Sequence, residues 1–562
     1  MRSFPLLLAL LAALSLGFAA PALAQSGPES GVDVLDRERR QAPSAPLSRP
    51  RPTVTRGERD EPVYDPGARL ILASIVVEGA TAFSSEELVA PYASLMGQSV
   101  GFADVNRVAQ EMTVRYREAG YILSQVVLPP QSVSPDGAEI VLTAIEGFVS
   151  DVLWQGEEEI VEKASRYFSS SKEKLLAMRP LRLGALERAM HILQDAPGLA
   201  ASSTFDRSEV QGASVLVISV KRDIAGGSFS AGNTGTESSG PVLLSGSFFF
   251  GGYPALGFQT TIGYTQAWDY KEYYSLSLAQ KYQLPSGLSL SASYAFAESQ
   301  RPGTEFAKLF DHATLSHTLS VGAAYPVIRG RNMNLSLGLN YNLRNSRAEL
   351  LGSPFTRDRL RSLSFDANFD FSDESGGVTQ ITLTLTAGLK AFGATHLDPE
   401  SSSPMAPADY SRLNLYAYRE QRLPLGFSLT AAGEIQLAGT ILPSYEQFSL
   451  GGQLFGRGYD SGTLESDNGA GGYLELRRAF RLSDNCVLTP YAFIDGGAVW
   501  TKGRAQGVDP HSELSSAGLG LSFSARADGR PDPSLNFFVG KPLKTIDGET
   551  STRWVLTFSL RF

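Results

Sequence analysis

The end of the chain alternates between apolar and polar side chains with a period of two. The apolar positions are Trp554, Leu556, Phe558, Leu560 and Phe562, and the polar positions between them include Arg553, Thr557, Ser559 and Arg561. Because successive side chains of a β-strand point to opposite faces, this pattern predicts a strand with one apolar and one polar face. A strand of this length that ends on an aromatic residue is typical of the wall of a transmembrane β-barrel. We therefore expect Phe562 to belong to a C-terminal signal for barrel insertion.

The same alternation recurs along the chain from residue 227 onward. Residues 288–294 and 381–386 place apolar side chains at every second position, with serine or threonine between them. At about ten residues per strand plus turns and loops, residues 227–562 hold about sixteen antiparallel strands. A pair of soluble β-sandwiches is disfavoured, because the turns of a second sheet are missing.

The beginning of the chain predicts export from the cytoplasm. Residues 1–24 combine the charged Arg2, an almost wholly apolar segment and the small-residue exit Ala22-Leu23-Ala24, which is the pattern of a cleaved signal peptide. An N-terminal membrane anchor is the alternative, and it is disfavoured because polar, proline-rich sequence follows at once. With no later apolar segment long enough for a helix, any further membrane crossing requires a closed barrel of strands.

Composition narrows the possible chemistry. A formal net charge of -9 argues against nucleic acid as a partner, and no Lys/Arg cluster contradicts this. The single cysteine, Cys486, excludes an internal disulfide. The five histidines show no metal-ligand spacing, and we expect each of them at the surface or in a loop. Without a nucleophile motif or a phosphate loop, the sequence predicts no metal, no cofactor and no catalytic residue.

Three segments separate the signal peptide from the barrel. Residues 25–68 are rich in proline and predict a linker. Within them, residues 31–41 have acidic side chains first and basic ones later, as a short helix prefers, although a disordered charged segment remains the alternative. Residues 69–146 predict a strand, two helices and two strands, at 70–77, 85–95, 102–119, 122–128 and 139–145. Residues 147–222 predict the same order, at 149–154, 157–169, 184–193, 202–208 and 214–221.

The order of these elements resembles that of a POTRA domain, the periplasmic module of outer-membrane transport proteins. In the second unit, residues 182–188 and 193–198 resemble the second POTRA domain of two-partner secretion transporters. Ordinary helix packing and a Pro-Gly turn are the alternative explanation of these two segments.

Two segments near the end of the chain are the most specific signals. Residues 442–452 lead into Gly456-Arg457-Gly458-Tyr459, which resembles the signature loop of the Omp85 superfamily and of its two-partner secretion branch. Gly456 stands where that signature has valine. The second segment, Phe493-Ile494-Asp495-Gly496-Gly497, fits the Phe-x-Asp-x-Gly strand motif of the same family through Phe493, Asp495 and Gly497.

The resemblance implies a transmembrane antiparallel β-barrel of about sixteen strands, preceded by two α/β POTRA domains. The barrel would lie in the bacterial outer membrane and the POTRA domains in the periplasm. The signature loop would fold back into the lumen, where Arg457 would pair with Asp495. Residues 31–41 would form a plug helix.

The implied function is export of a large unfolded exoprotein, an adhesin or a haemolysin-like protein, in two-partner secretion. The implied partners are this passenger, the lipid of the outer membrane and, during biogenesis, the barrel assembly machinery. The passenger would be captured by addition of a strand to a POTRA sheet.

Three other functions compete with export. An Omp85-type assembly factor would share the loop and the POTRA fold, but it would carry more POTRA domains and no proline-rich plug linker. A passive porin would not need two α/β units before its barrel. An outer-membrane enzyme would need a Ser/His pair in a plausible setting, which the sequence does not offer.

Overall fold

A computed structural model describes residues 69–134, 137–236, 239–300, 312–502, 511–526, 531–546 and 551–562. The predicted signal peptide, 1–24, and the predicted plug helix and linker, 25–68, lie outside the described residues. Among the helices of the described ranges, none combines the length and the apolar character that crossing a bilayer requires.

The first α/β unit is a four-stranded sheet covered by helices. Its elements are β1 (Arg69–Glu78), α1 (Ser85–Val89), a 3₁₀ helix (Ala90–Leu95), β2 (Ser99–Gly101), α2 (Phe102–Glu118), β3 (Gln125–Val127) and β4 (Ala138–Ile145). The sheet order is β2-β1-β4-β3, with β1 and β4 parallel. The buried face of α2 consists of Val105, Val108, Ala109, Met112, Thr113 and Tyr116. Their helical spacing explains why α2 packs against the sheet.

The second α/β unit repeats this arrangement with one strand fewer. It consists of β5 (Phe148–Gln155), α3 (Glu158–Ala177), α4 (Leu183–Gln194), β6 (Gly198–Arg207) and β7 (Ala213–Asp223). The sheet order is β5-β7-β6, and its first and last strands, β5 and β7, are again parallel.

Three of the differences from the sequence prediction have a clear physical reason. The helix predicted at 85–95 is an α-helix of one turn followed by the 3₁₀ helix, in which Pro91 stands at the start and removes a backbone donor. The helix predicted at 157–169 runs on to Ala177, because its later residue Leu175 is buried against the domain core. Strand β2 was not predicted, since three residues carry too little periodicity to identify a strand.

One of the five histidines, His191, contradicts the prediction that all lie at the surface or in loops. His191 on α4 is only 3% exposed; His312 is equally buried, but it lies in the connection before β13, as the prediction allows. His191 occupies the buried side of an amphipathic helix, where its Nδ1 lies 3.1 Å from Gln194 Oε1. Within the described ranges, no group of three or more His, Cys, Asp or Glu residues could hold a metal ion.

A two-residue connection joins the units, and its first residue, Glu146, is bound to the first unit. The Glu146 carboxylate accepts hydrogen bonds from the backbone N–H groups of Thr81 and Ala82 at 2.7 and 2.8 Å, and from the Tyr116 hydroxyl at 2.9 Å. Burial alone would raise the pKa of Glu146, but these hydrogen bonds outweigh it and hold the pKa below its ordinary value. Glu146 therefore binds the first unit as a charged carboxylate, directly before the second unit begins.

The rest of the chain forms a closed antiparallel barrel. Its strands are β8 (Ala225–Gly232), β9 (Leu243–Gly251), β10 (Phe258–Ala267), β11 (Tyr274–Gln283), β12 (Ser289–Gln300), β13 (Ala313–Arg329), β14 (Met333–Leu350), β15 (Ser353–Ser372), β16 (Gly377–Gly388), β17 (Ser411–Arg422), β18 (Phe427–Ala438), β21 (Asn468–Arg478), β22 (Phe480–Ser483), β23 (Cys486–Trp500), β24 (His511–Ala525), β25 (Asp532–Pro542) and β26 (Arg553–Arg561). Two short strands, β19 (Phe448–Leu450) and β20 (Leu464–Ser466), pair with each other outside this sheet.

The barrel wall has sixteen strands, as predicted. Segments β21 and β22 both pair with β23 and count as one strand of the wall, which is interrupted at Ala479. The first barrel strand begins at Ala225, two residues before the predicted start of the domain. The predicted alternation is present in β26, where Trp554 is 56% exposed on the outer face and Val555 is 1% exposed on the inner face.

The second α/β unit is fastened to one rim of the barrel, which we call the proximal rim. Arg329 Nε donates to Asp195 Oδ2 at 2.7 Å. The Tyr167 hydroxyl donates to the Gln283 carbonyl at 3.1 Å, and Gln283 Nε2 donates to the Ile192 carbonyl at 2.9 Å. The unit therefore sits directly at the mouth of the lumen.

The barrel closes between its last strand, β26, and its first, β8. Five pairs join them, from Thr557 opposite Gly232 to Arg561 opposite Ser228. The ladder is extended by Phe562, which donates its N–H to the Gly227 carbonyl at 3.0 Å and accepts the Gly227 N–H at 2.8 Å. The Phe562 ring occupies the space beside Gly227 in which a larger side chain would clash.

Deletion of Phe562 should lower the amount of barrel in the outer membrane and leave aggregated or degraded protein in the periplasm. It removes both closing hydrogen bonds and the terminal aromatic of the expected insertion signal. Phe562→Leu keeps the backbone bonds and should cause an intermediate loss, measured as heat-modifiable protein in membrane fractions.

Trp554→Leu is the matched control, because Trp554 is an exposed aromatic on the same strand that is not terminal. It should leave barrel levels near those of the wild type. If Phe562→Leu were as harmful as the deletion, the ring would act by packing alone and the signal role would be wrong.

Candidate functional site

The connection between β18 and β21, residues 439–467, folds back into the lumen; we call it the re-entrant loop. Its side chains Phe448, Leu450, Phe455 and Tyr459 are at most 1% exposed and form one cluster with Val499 of β23 and Leu514 of β24. This apolar contact explains why a long loop enters a water-accessible lumen.

The centre of the loop places a buried arginine between two carboxylates of the barrel wall. Arg457 Nε donates to Asp495 Oδ2 of β23 at 2.7 Å, and Arg457 Nη1 donates to Glu475 Oε2 of β21 at 2.6 Å. The Arg457 side chain is 8% exposed, that of Glu475 2% and that of Asp495 0%. A guanidinium is suited to this position, because it can offer separate N–H groups to two acceptors.

Asp495 also binds the backbone of the loop. Its Oδ1 accepts the N–H groups of Gly456 and Arg457 at 3.1 and 3.2 Å, and it accepts the Ser516 hydroxyl. Ser516 Oγ in turn accepts the Gly458 N–H at 3.0 Å. The carboxylate therefore fixes the path of the main chain as well as the arginine side chain.

Aromatic rings cover the Arg457 guanidinium. Its Cζ lies 3.6 Å from the centroid of the Phe493 ring and 5.2 Å from that of Tyr473. A desolvated guanidinium gains electrostatic attraction from such rings. Phe493 and Asp495, two residues apart on β23, thus contact the same arginine.

Tyr459 fastens the far side of the same turn. Its hydroxyl lies 2.7 Å from the Lys544 carbonyl and 3.0 Å from the Ser515 carbonyl, and it accepts the Lys544 N–H at 3.2 Å. The loop is thereby tied to β24 and to the connection between β25 and β26.

Glycines make this close approach possible. Gly456 has a φ of +95°, and a Cβ there would lie 2.4 Å from Leu514 Cδ1, so the valine of the family signature would not fit in this chain. A Cβ at Gly458 would lie 2.8 Å from the Lys541 carbonyl carbon, and one at Gly497 would lie 2.4 Å from the Ala470 carbonyl oxygen.

Two further ion pairs hold the loop. Near its start, Arg412 of β17 lies 2.7 Å from Glu446, and both side chains are largely buried. Near its middle, Arg553 of β26 lies 3.2 Å from Asp460 and donates to the Gly452 carbonyl at 3.1 Å. The loop is therefore held from three sides of the lumen.

A polar cavity of about 590 Å³ remains beside the loop. Its walls are β13 to β18 and the start of the loop. Serine, threonine, asparagine and glutamine side chains predominate in its lining: Thr318, Ser320, Asn340, Asn342, Ser362, Ser364, Asn368, Thr382, Thr384, Thr386, Asn414, Gln436 and Gln447.

The structure brings together most of the residues that the sequence singled out. Gly456, Arg457, Gly458 and Tyr459 lie against Phe493, Asp495 and Gly497, whereas Phe562 lies apart on the closing ladder. Sequence reasoning missed Glu475 and Ser516. Glu475 stands between Leu474 and Leu476 on an alternating strand, and that setting identifies it as a lumenal carboxylate without showing that it contacts Arg457.

Comparison with known proteins identifies the family. The model of the haemolysin secretion/activation proteins ShlB/FhaC/HecB matches residues 212–523, and that of the ShlB-type POTRA domain matches residues 70–147. The chain belongs to the ShlB/FhaC/HecB family. It is therefore an outer-membrane transporter of two-partner secretion, which works with a secreted exoprotein and has its POTRA domains in the periplasm.

Individual relatives agree with this family. The heme/hemopexin transporter protein HuxB of Haemophilus influenzae (strain 86-028NP) is 24% identical over 481 residues, which cover 82% of this chain and 81% of HuxB. The outer membrane transporter CdiB of Escherichia coli is 24% identical over 539 residues, which cover 90% of this chain and 86% of CdiB. The solved structure of CdiB from Escherichia coli has the same fold, with a TM-score of 0.71 and 20% identity over 97% of this chain and 100% of that structure.

Arg457→Ala should destabilise the folded transporter by about 3–5 kcal/mol, because it leaves two buried carboxylates without their cation. Asp495→Ala should cost less than Arg457→Ala, since Glu475 remains as an acceptor. The double variant should cost little more than Arg457→Ala alone, because the two residues act as one unit. Thermal unfolding of purified protein, followed by heat modifiability, measures all three.

Arg477→Ala is the matched control. Arg477 pairs with the same Glu475, but its side chain is 44% exposed, so its loss should cost at most about 1 kcal/mol. Equal effects of Arg457→Ala and Arg477→Ala, or additive effects in the double variant, would contradict the buried pairing.

Proposed function

We propose that the transporter exports its exoprotein as an unfolded chain along the polar wall of β13 to β18, while the re-entrant loop keeps the opposite side of the lumen closed. The observation that carries this proposal is the asymmetry of the lumen. Ion pairs and an apolar cluster hold the loop against β21 to β26, and the cavity lies on the other side. A sixteen-stranded barrel is wide enough for a channel of this kind.

The cavity wall suits an unfolded polypeptide. Many of its polar side chains bond to one another, for example Asn340 Nδ2 to Asp366 Oδ2 at 2.7 Å and Thr384 Oγ1 to Asp366 Oδ1 at 2.8 Å. Such a wall offers exchangeable hydrogen bonds to a passing main chain and no apolar stripe on which it would be trapped. The passenger class that we propose is a large adhesin or haemolysin-like protein.

Capture of the passenger is proposed to take place on the POTRA sheets. Strand β5, of eight residues, has β7 as its one sheet neighbour among the described strands. Its other edge can accept an extended segment by β-augmentation. Because the second unit is fastened to the proximal rim, a segment bound there would be held at the periplasmic mouth of the lumen.

The proposed cycle includes no catalytic step. Binding, release and folding of the passenger outside the cell can give direction to transport without a reaction in the barrel. The barrel assembly machinery would insert the transporter through its last strand, and outer-membrane lipid would then surround its apolar face.

Export can be tested in a cell that carries the transporter with a large exoprotein encoded beside its gene. The wild type should release this exoprotein into the medium. Arg457→Ala should abolish release at equal barrel levels, because the loop would lose its anchor in the lumen. Arg477→Ala should release nearly as much exoprotein as the wild type.

The same cells distinguish export from barrel assembly. Removal of the transporter should stop release of the exoprotein and leave the amounts of other outer-membrane barrels unchanged. A general fall in those barrels would instead support an assembly factor, and release that is unaffected by removal would contradict export.

A further inference from the structure

The outer face of β14 and β15 changes from apolar to basic toward the distal rim, the end of the barrel opposite the POTRA domains. Asn340, Asn342 and Arg344 line the lumenal cavity, so the odd-numbered residues of β14 point outward. The outward residues of β14 are Leu337, Leu339, Tyr341 and Leu343, followed by Asn345 and Arg347. Those of β15, read in the same direction, are Phe365 and Leu363, followed by Arg361, Arg359 and Arg357.

Cross-strand pairing gathers these arginines into one surface. Leu343 lies opposite Arg361, Asn345 opposite Arg359, and Arg347 opposite Arg357. Like charges directly opposite each other destabilise an antiparallel pair. This basic surface is a local exception, because the net charge of the whole chain is -9. A bound anion would reduce the repulsion between its arginines.

Carboxylates neutralise little of this surface. Arg347 pairs with Glu349 at 3.2 Å, and both side chains are partly exposed. Arg357, Arg359 and Arg361 form no ion pair with any carboxylate in the described part of the chain. The contact of Arg357 with Glu400 is made by the main chain, since the Arg357 N–H donates to the Glu400 carbonyl at 2.8 Å.

Arg361 is the least exposed of the four arginines, at 6%. Its Nη1 donates to the carbonyls of Leu360 and Arg344 at 2.7 and 3.1 Å, and its Nη2 donates to Asn345 Oδ1 at 2.9 Å. Its Nε has no partner among the described residues. The positive charge of this buried guanidinium is therefore not balanced by a nearby negative charge, which is energetically costly.

An exposed aromatic residue marks the boundary between the apolar and basic parts. Phe392 is 76% exposed, and its ring meets the edge of the outward-facing Tyr341 at 6.3 Å between centroids. Its φ of +51° is in the left-handed region, which costs a bulky residue about 1–2 kcal/mol. The connection between β16 and β17 thus holds a strained phenylalanine beside Tyr341, at the level where barrels carry an interfacial aromatic girdle.

We propose that the exposed Arg347, Arg357 and Arg359, together with Phe392 and with the positive charge of the buried Arg361 beside them, form a binding site for the phosphate groups of lipopolysaccharide in the outer leaflet. This leaflet presents acyl chains with phosphorylated sugars above them. The apolar residues up to Leu343 match the acyl chains, and the arginines stand at the level of the phosphates. The site faces away from the lumen, so it anchors the barrel in its leaflet and lies off the export path.

The test uses full-length transporter in nanodiscs of phosphatidylcholine, titrated with bisphosphorylated lipid A and read by native mass spectrometry. Arg357→Gln/Arg359→Gln should weaken lipid A binding about 30-fold, because each arginine near an anionic surface contributes about fivefold. Arg357→Lys/Arg359→Lys should retain most of the affinity, since lysine keeps the charge. The matched control, Arg481→Gln/Arg526→Gln, removes two exposed charges near the proximal rim and should bind like the wild type.

Two further probes separate the source of the phosphate. Dephosphorylated lipid A should bind the wild type no better than it binds the Gln variant, and inorganic phosphate should not displace lipid A at equal concentration. A thermal unfolding temperature near that of the wild type shows that a variant is folded. If the Gln variant is not folded, the Lys variant and the dephosphorylated lipid A still test the proposal. Equal binding by the Gln and control variants, tight binding of dephosphorylated lipid A, or displacement by inorganic phosphate would overturn the proposal.

Discussion

The buried contact of Arg457 with Asp495 and Glu475 is the interaction on which the lumen depends. It joins the re-entrant loop to two strands of the barrel, β21 and β23. Each charge is costly to bury alone, and each becomes tolerable only when the others are present. Removal of the loop from the lumen would leave Asp495 and Glu475 buried without a cation, so the ion pairs stabilise the loop inside the lumen.

Steric fit gives the contact its geometry. Asp495 binds the Gly456 and Arg457 N–H groups as well as the guanidinium, so the loop backbone must come close to the wall. Glycines at 456, 458 and 497 make this approach possible, since a side chain at any of them would meet neighbouring atoms. The apolar cluster around Phe448 and Phe455 then excludes water from the site, which strengthens the ionic contact.

The lumen is divided by this arrangement. The loop occupies the side formed by β21 to β26, and the polar cavity occupies the side formed by β13 to β18. A passenger on the cavity side would pass the Arg412–Glu446 pair, which lines that space. On this account, the loop shapes the export path without having to leave the lumen.

The sequence predicted the features that depend on local period or on a family motif. The alternation of apolar and polar residues, as from Trp554 to Phe562, predicted the barrel strands. The loop and strand motifs of the family predicted that Arg457 lies near Asp495. Glu475 was missed because a glutamate on the polar face of an alternating strand resembles any lumenal residue until the path of the loop is known. The sequence alone did not predict that the arginines at 357, 359 and 361 form one surface, because only the strand register places them on one face beside Arg347.

Hydrogen exchange at the centre of the loop tests the account most directly. In the wild type, the backbone N–H groups of Gly456, Arg457 and Gly458 are bonded to Asp495 and Ser516, so peptides that cover them should exchange slowly. In Arg457→Gln, their exchange should rise by about 100-fold or more, since loss of the charge frees the loop at a cost of about 3 kcal/mol or more. Exchange at these residues that is unchanged in Arg457→Gln would show that the loop stays in the lumen without this ion pair, and would contradict the account.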